Sequence, residues 1–84
     1  MEIIKTEEEF DEFLNKEFDD VQLLDMYASQ YEYLVDYTSC PADKLHEQAL
    51  FEVWDGNIFG NFVGEVDFQI TNEVALEVLE RRIA

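Results

Sequence analysis

One cysteine, one proline, one histidine and three glycines are all that the 84 residues hold of these types, and lysine and arginine together number five. Each scarcity excludes something. Cys40 alone cannot form an internal disulfide, so a reducing, cytoplasmic setting is expected. One cysteine and one histidine cannot build a structural zinc site, and no stretch has the spacing of a calcium loop, so neither a metal nor a cofactor is expected. With so little proline and glycine there is no flexible linker, and the chain reads as one acidic globular domain over 1–84. No apolar run approaches the ~18–20 residues of a membrane span. The amino-terminal MEIIK lacks the basic start and apolar stretch of a signal peptide.

What is abundant is negative charge. Against those five basic residues stand 21 aspartates and glutamates, a formal net charge of −16. Both halves of the chain share the excess, so it belongs to the surface rather than to an acidic tail. Nearly half of the residues are apolar and 14% are aromatic, enough for a packed core. A field of this sign repels nucleic acid and anionic membranes and attracts basic proteins.

The periodicities predict a helix-rich α+β domain of about four helices, with a short strand or β-hairpin near residues 51–70. Thr6 and Glu9 form a capping box ahead of a helix over 7–17, with Phe10, Phe13, Leu14 and Phe18 inward. Asp19 or Asp20 caps a second helix to about residue 37, whose core stripe is read as Val21, Leu24, Ala28, Tyr31, Leu34 and Val35. Pro41 opens a third helix through Val53, with Asp55-Gly56 as its stop and FEVW (51–54) as a competing strand. Residues 61–70 alternate with period two and predict a strand that needs EIIK (2–5), FEVW or a neighbouring chain as its partner. Thr71 or Asn72 then caps a last helix, with Glu77 and Arg81 spaced for an ion pair.

Chemistry is hard to find. Cys40 and His46 are six apart, but nothing else in the chain completes a triad, and both read as structural residues. The glycines of GNFVG (60–64) are too sparse for a phosphate cradle. No enzymatic activity is expected.

The charge is better organised. With Phe10, Phe13 and Leu14 inward, Glu8 and Glu12 point away from the core, with Asp11 on the flank. On the second helix Asp25, Glu32 and Asp36 form an outward line, and Tyr33 and Tyr37 lie beside it, off the apolar stripe. Eight carboxylates fall between Glu7 and Asp20. If helical, that segment carries one negative charge per ~2.6 Å, approaching the ~1.7 Å of duplex DNA. In size, acidity and want of catalytic residues the chain resembles the phage- and plasmid-encoded inhibitors of bacterial defence, the antirestriction and anti-CRISPR DNA mimics. That resemblance implies a non-enzymatic inhibitor that blocks the nucleic-acid groove of a basic DNA- or RNA-binding protein or nuclease complex. Glu8, Asp11, Glu12, Asp25, Glu32 and Asp36 would stand in for phosphates, with Tyr33 and Tyr37 as anchors. No direct contact with nucleic acid or membrane is implied, and a homodimer is compatible. The alternative is a small adaptor module whose acidity only keeps it soluble, docking through the strand at 61–70 and Phe51.

Overall fold

A capping box opens the first helix, as the Thr6–Glu9 spacing requires. In the structure, a computed structural model that describes residues 1–83, the Glu9 amide donates to Thr6 Oγ1 at 3.1 Å, while Glu9 Oε1 accepts from the amides of Lys5 (2.9 Å) and Thr6 (3.1 Å). Helix α1 (Glu7–Glu17) follows, its Phe10, Phe13 and Leu14 buried. The Lys5 amide, with Thr6 assisting against slight desolvation, holds the Glu9 carboxyl below its ordinary range. A carboxyl depressed by folding stabilises above its unfolded pKa, and that support is lost as pH falls through the folded value. The stability gap between the wild type and Glu9→Gln, read by urea unfolding, is therefore expected to close as pH falls from about 7 to about 3.

A reciprocal pair also opens α2 (Asp20–Tyr37), where Asp19 and Gln22 exchange amide-to-side-chain bonds of 2.8 Å. Its buried face is not the stripe expected from the sequence. Leu23 and Leu34 are buried with Met26, Tyr27 and Gln30 partly so, whereas Val21, Leu24, Ala28, Tyr31 and Val35 are exposed. Of the six residues read as core, only Leu34 faces inward. The helix carries two apolar stripes, about 120° apart at 3.6 residues per turn. The one turned inward brings Leu23 into the main core and Leu34 onto Leu45 and Ala49. It also places the Tyr27 hydroxyl where it finds a partner, which a half-buried phenol requires.

Thr38 Oγ1 donates back to the Leu34 carbonyl at 2.6 Å as α2 ends. Pro41 then precedes a short 3₁₀ turn (Ala42–Lys44) and α3 (Leu45–Glu52). The expected stop at Asp55-Gly56 does not occur. The chain continues as a π-helix over Val53–Phe59 and a short α4 (Gly60–Phe62), so FEVW is helical and no hairpin forms there. Every described glycine has negative φ, so none is used as a left-handed helix terminator. A Cβ on Gly60 would stand 3.1 Å from the Asp55 carbonyl oxygen, so the continued helix itself favours glycine there. Burial of Val53, Trp54 and Ile58 outweighs the turn propensity of Asp-Gly.

The expected strand over 61–70 contracts to β2 (Val66–Phe68), because Phe62 belongs to α4 and packs edge-on against Phe13 and Phe18. Its partner is β1 (Glu2–Ile4), in parallel, with Glu2 opposite Val66 and Ile4 opposite Phe68. Helix α5 (Asn72–Ile83) closes the fold, its Val74 amide donating to Thr71 Oγ1 at 3.2 Å. The result is a helix-rich α+β domain. No helix of the described residues is long and apolar enough to cross a membrane.

Candidate functional site

The dense carboxylates of the first helix have two occupations that the sequence does not separate. Glu9 and Asp19 are caps. Glu7, Asp11 and Asp20 receive the arginines at the carboxyl end of α5: Arg81 donates to Glu7, and Arg82 donates to Asp11 at 3.2 Å and to Asp20 at 3.3 Å. Arg82 is the more enclosed, its side chain 19% exposed, and it ties α1 and the start of α2 to α5. Asp11 is therefore a structural ion-pair partner and not the free phosphate surrogate expected of it. Arg81 reaches across to Glu7 rather than along its own helix to Glu77, because the carboxyl end of α5 meets the amino end of α1, where charges of both signs are favoured by the helix dipoles. Setting aside the three carboxylates paired to arginine, the 7–20 segment carries five over about 21 Å, or one per ~4 Å. That is less than half of the duplex density of one charge per ~1.7 Å.

The other surrogates are free. Glu8 and Glu12 are exposed one turn apart on α1, and Asp25, Glu32 and Asp36 are exposed on α2. None of the five makes a hydrogen bond or ion pair with a described residue, and α2 has no lysine or arginine in its 18 residues. At 100° per residue, the Asp25–Glu32–Asp36 ridge points almost directly away from the buried face. One flank of this ridge holds Tyr33 and Tyr37, which are 55% and 76% exposed, with ring centroids 5.5 Å apart. The other flank holds the apolar stripe that the core leaves uncovered. Met26, by contrast, turns inward against the core. Phe51 does likewise and β2 is paired with β1, so neither contact point of the adaptor reading is as open as expected.

Cys40 and His46 do not act together. Both ring nitrogens of His46 are engaged, Nδ1 with the Tyr27 hydroxyl and Nε2 with Glu80 Oε2, each at 2.6 Å. The Cys40 thiol instead approaches its neighbour's carbonyl, Pro41 O, at 3.7 Å. A neutral imidazole protonated on Nε2 satisfies both contacts: it donates to Glu80 and accepts the Tyr27 proton. Tyr27, His46 and Glu80 thus clip α2, α3 and α5 together, a network that sequence reasoning missed because its members lie 19 and 34 residues apart. Burial, then Tyr31 and Glu80, pushes the Tyr27 hydroxyl above its ordinary value and keeps it a phenol. A raised acid pKa means that stability falls as pH climbs past the unfolded value of ~10. Tyr27→Phe is expected to cost about 1 kcal/mol and to flatten that alkaline decline, which thermal melts between about pH 8 and 11 will read.

Among the described residues no cluster of histidine, cysteine and carboxylates is arranged to hold a metal ion. No protein-family model, curated protein or solved structure matches this chain.

Proposed function

We propose that this protein is a non-enzymatic binder that occupies the phosphate-holding groove of a basic DNA- or RNA-binding protein and so excludes nucleic acid, in the manner of the anti-defence DNA mimics it resembles. The observation that supports this is the ridge of α2: three exposed carboxylates with no cationic partner among the described residues, on a helix without a basic residue, beside an exposed tyrosine pair. Along the ridge the charges average one per ~6 Å, sparser than the ~3.4 Å of a single DNA strand. The ridge therefore matches selected phosphates rather than the whole backbone. Glu8 and Glu12 on α1 add a second pair of charges. Aromatic anchors supply the area that scattered charges lack.

The test is competition. A basic partner captured from the native cell should bind either duplex DNA or this protein, never both, with affinity falling steeply as salt rises. Simultaneous binding of both would refute groove occupation. The uncovered apolar stripe of α2 supports the adaptor reading as well, and near-indifference to salt would favour it.

A further inference from the structure

Helix α2 has an apolar face that its own core does not use. Val21, Leu24, Ala28, Tyr31 and Val35 recur at alternating steps of three and four, the spacing of a coiled-coil seam. All five are exposed, Val21 at 67%, Leu24 at 51% and Val35 at 53%. The stripe runs for about 21 Å, four helical turns, and a row of exposed large apolar side chains of that length points to an interaction site. Its spacing selects the shape of what covers it. Heptad positions receive the knobs of another helix, whereas a sheet edge or loop presents no matching ridge.

Charge selects the chemistry. In heptad register, with Val21, Ala28 and Val35 on one edge of the seam and Leu24 and Tyr31 on the other, the positions flanking the seam on its open side are Asp25 and Glu32. The opposite flank, Tyr27 and Leu34, already packs inward. An arriving helix therefore meets only carboxylates along its accessible margin. A second copy of this chain would bring its own Asp25 and Glu32, in a molecule whose net charge is already −16, and like charges across such a seam oppose association. An anionic lipid surface is opposed on the same ground.

We infer that the exposed stripe of α2 is a docking seam for a cationic amphipathic helix of a partner protein, with apolar residues at heptad spacing and lysine or arginine beside them. The seam shares with the groove-blocking reading the carboxylates of Asp25 and Glu32 and the expectation that the partner is basic. It requires no nucleic-acid groove, and it is tested without one.

The probe is a synthetic 21-residue helical peptide with leucine at both seam positions of each heptad and lysine beside them. Two controls accompany it: a scrambled peptide of the same composition, and the same seam with glutamate in place of lysine. Binding is read by fluorescence anisotropy in about 0.15 M salt. The lysine-flanked seam peptide should bind at least tenfold more tightly than the scrambled one, and the glutamate-flanked one should not bind. Leu24→Ser combined with Val35→Ser changes exposed side chains only, so its melting temperature should match the wild type while affinity for the seam peptide falls about tenfold or more. Glu8→Lys with Glu12→Lys, on α1, should leave the peptide affinity within about threefold while still weakening a groove-bound partner, which separates the two readings. Equal binding of the scrambled peptide, unchanged affinity of the serine variant, or a wild-type dimer in sedimentation that the serine variant dissociates would each overturn the inference.

Discussion

Lysine at Glu8, Glu12, Asp25 and Asp36 together is expected to leave the fold intact and to abolish binding to a groove-bearing basic partner. All four carboxylates are exposed and without hydrogen-bond or ion-pair partners among the described residues, so no native contact is lost. The net charge moves by eight units from −16, which relieves self-repulsion, and the melting temperature should stay level or rise. Binding behaves oppositely. Reversing a charge at an interface costs on the order of 1 kcal/mol, so four together weaken affinity roughly a thousandfold. The salt dependence should flatten as well, because fewer charge pairs remain for salt to screen. Asp11→Lys is the instructive contrast. It places a cation against Arg82 and should lower stability, with a smaller effect on the partner. Retained affinity in the fourfold variant, measured against a partner whose wild-type complex is established, would refute the acidic surface as the site.

The largest effect on stability is expected at Trp54. It is 2% exposed within the π-helix, its indole N–H donates to Asn72 Oδ1 at 2.8 Å, and its ring meets Phe10, Phe59 and Phe68 between 5.2 and 5.6 Å. Trp54→Ala removes that burial and leaves a cavity, costing about 3–5 kcal/mol. A domain of this size is stable by only about 4–13 kcal/mol, so the variant should be largely unfolded at 37 °C or melt far below the wild type. Trp54→Phe keeps most of the ring and gives up the bond to Asn72 Oδ1, which is exposed enough to turn to water, and should cost about 1 kcal/mol. Calorimetry of both variants checks the ordering. If alanine cost no more than phenylalanine, the ring would not be the keystone of this core.

The parts of this fold that were legible in the sequence are those governed by local chemistry. Thr6 with Glu9, and Asp19 as one of two candidate caps for α2, are amide-capping patterns set by a few adjacent residues; the return bond from Gln22 was not read. The alternation near Val66 needs only a period of two. Helix α2 shows where that reasoning stops: two apolar stripes fit one helix, and the choice between them depends on the main core that takes in Leu23 and on Leu45 and Ala49, which pack with Leu34 and lie elsewhere in the chain. The expected Asp55-Gly56 stop failed for a related reason. Burial of Trp54 and Ile58 on either side rewards a continued helix, and that reward is invisible in a four-residue window. Among the site residues, Asp25, Glu32, Asp36, Tyr33 and Tyr37 were placed by the helical period alone, whereas the pairing of Asp11 with Arg82 spans 71 positions and no periodicity announces it.

The parallel pairing of β1 with β2 sets the order in which this molecule can assemble. Glu2 lies opposite Val66, so the first strand waits for a mate that is synthesised 64 residues later. At roughly 5–20 residues per second, that separation alone keeps β1 without its partner for about 3–13 s. Early helix formation is local and fast, but pairing β1 with β2 closes a loop of 64 residues, and the entropy of that closure must be met before the pairing rewards it. Until then Phe10 and Phe13 stand uncovered by Phe62 and Phe68. The strong like charge of the nascent chain is then its safeguard against clumping.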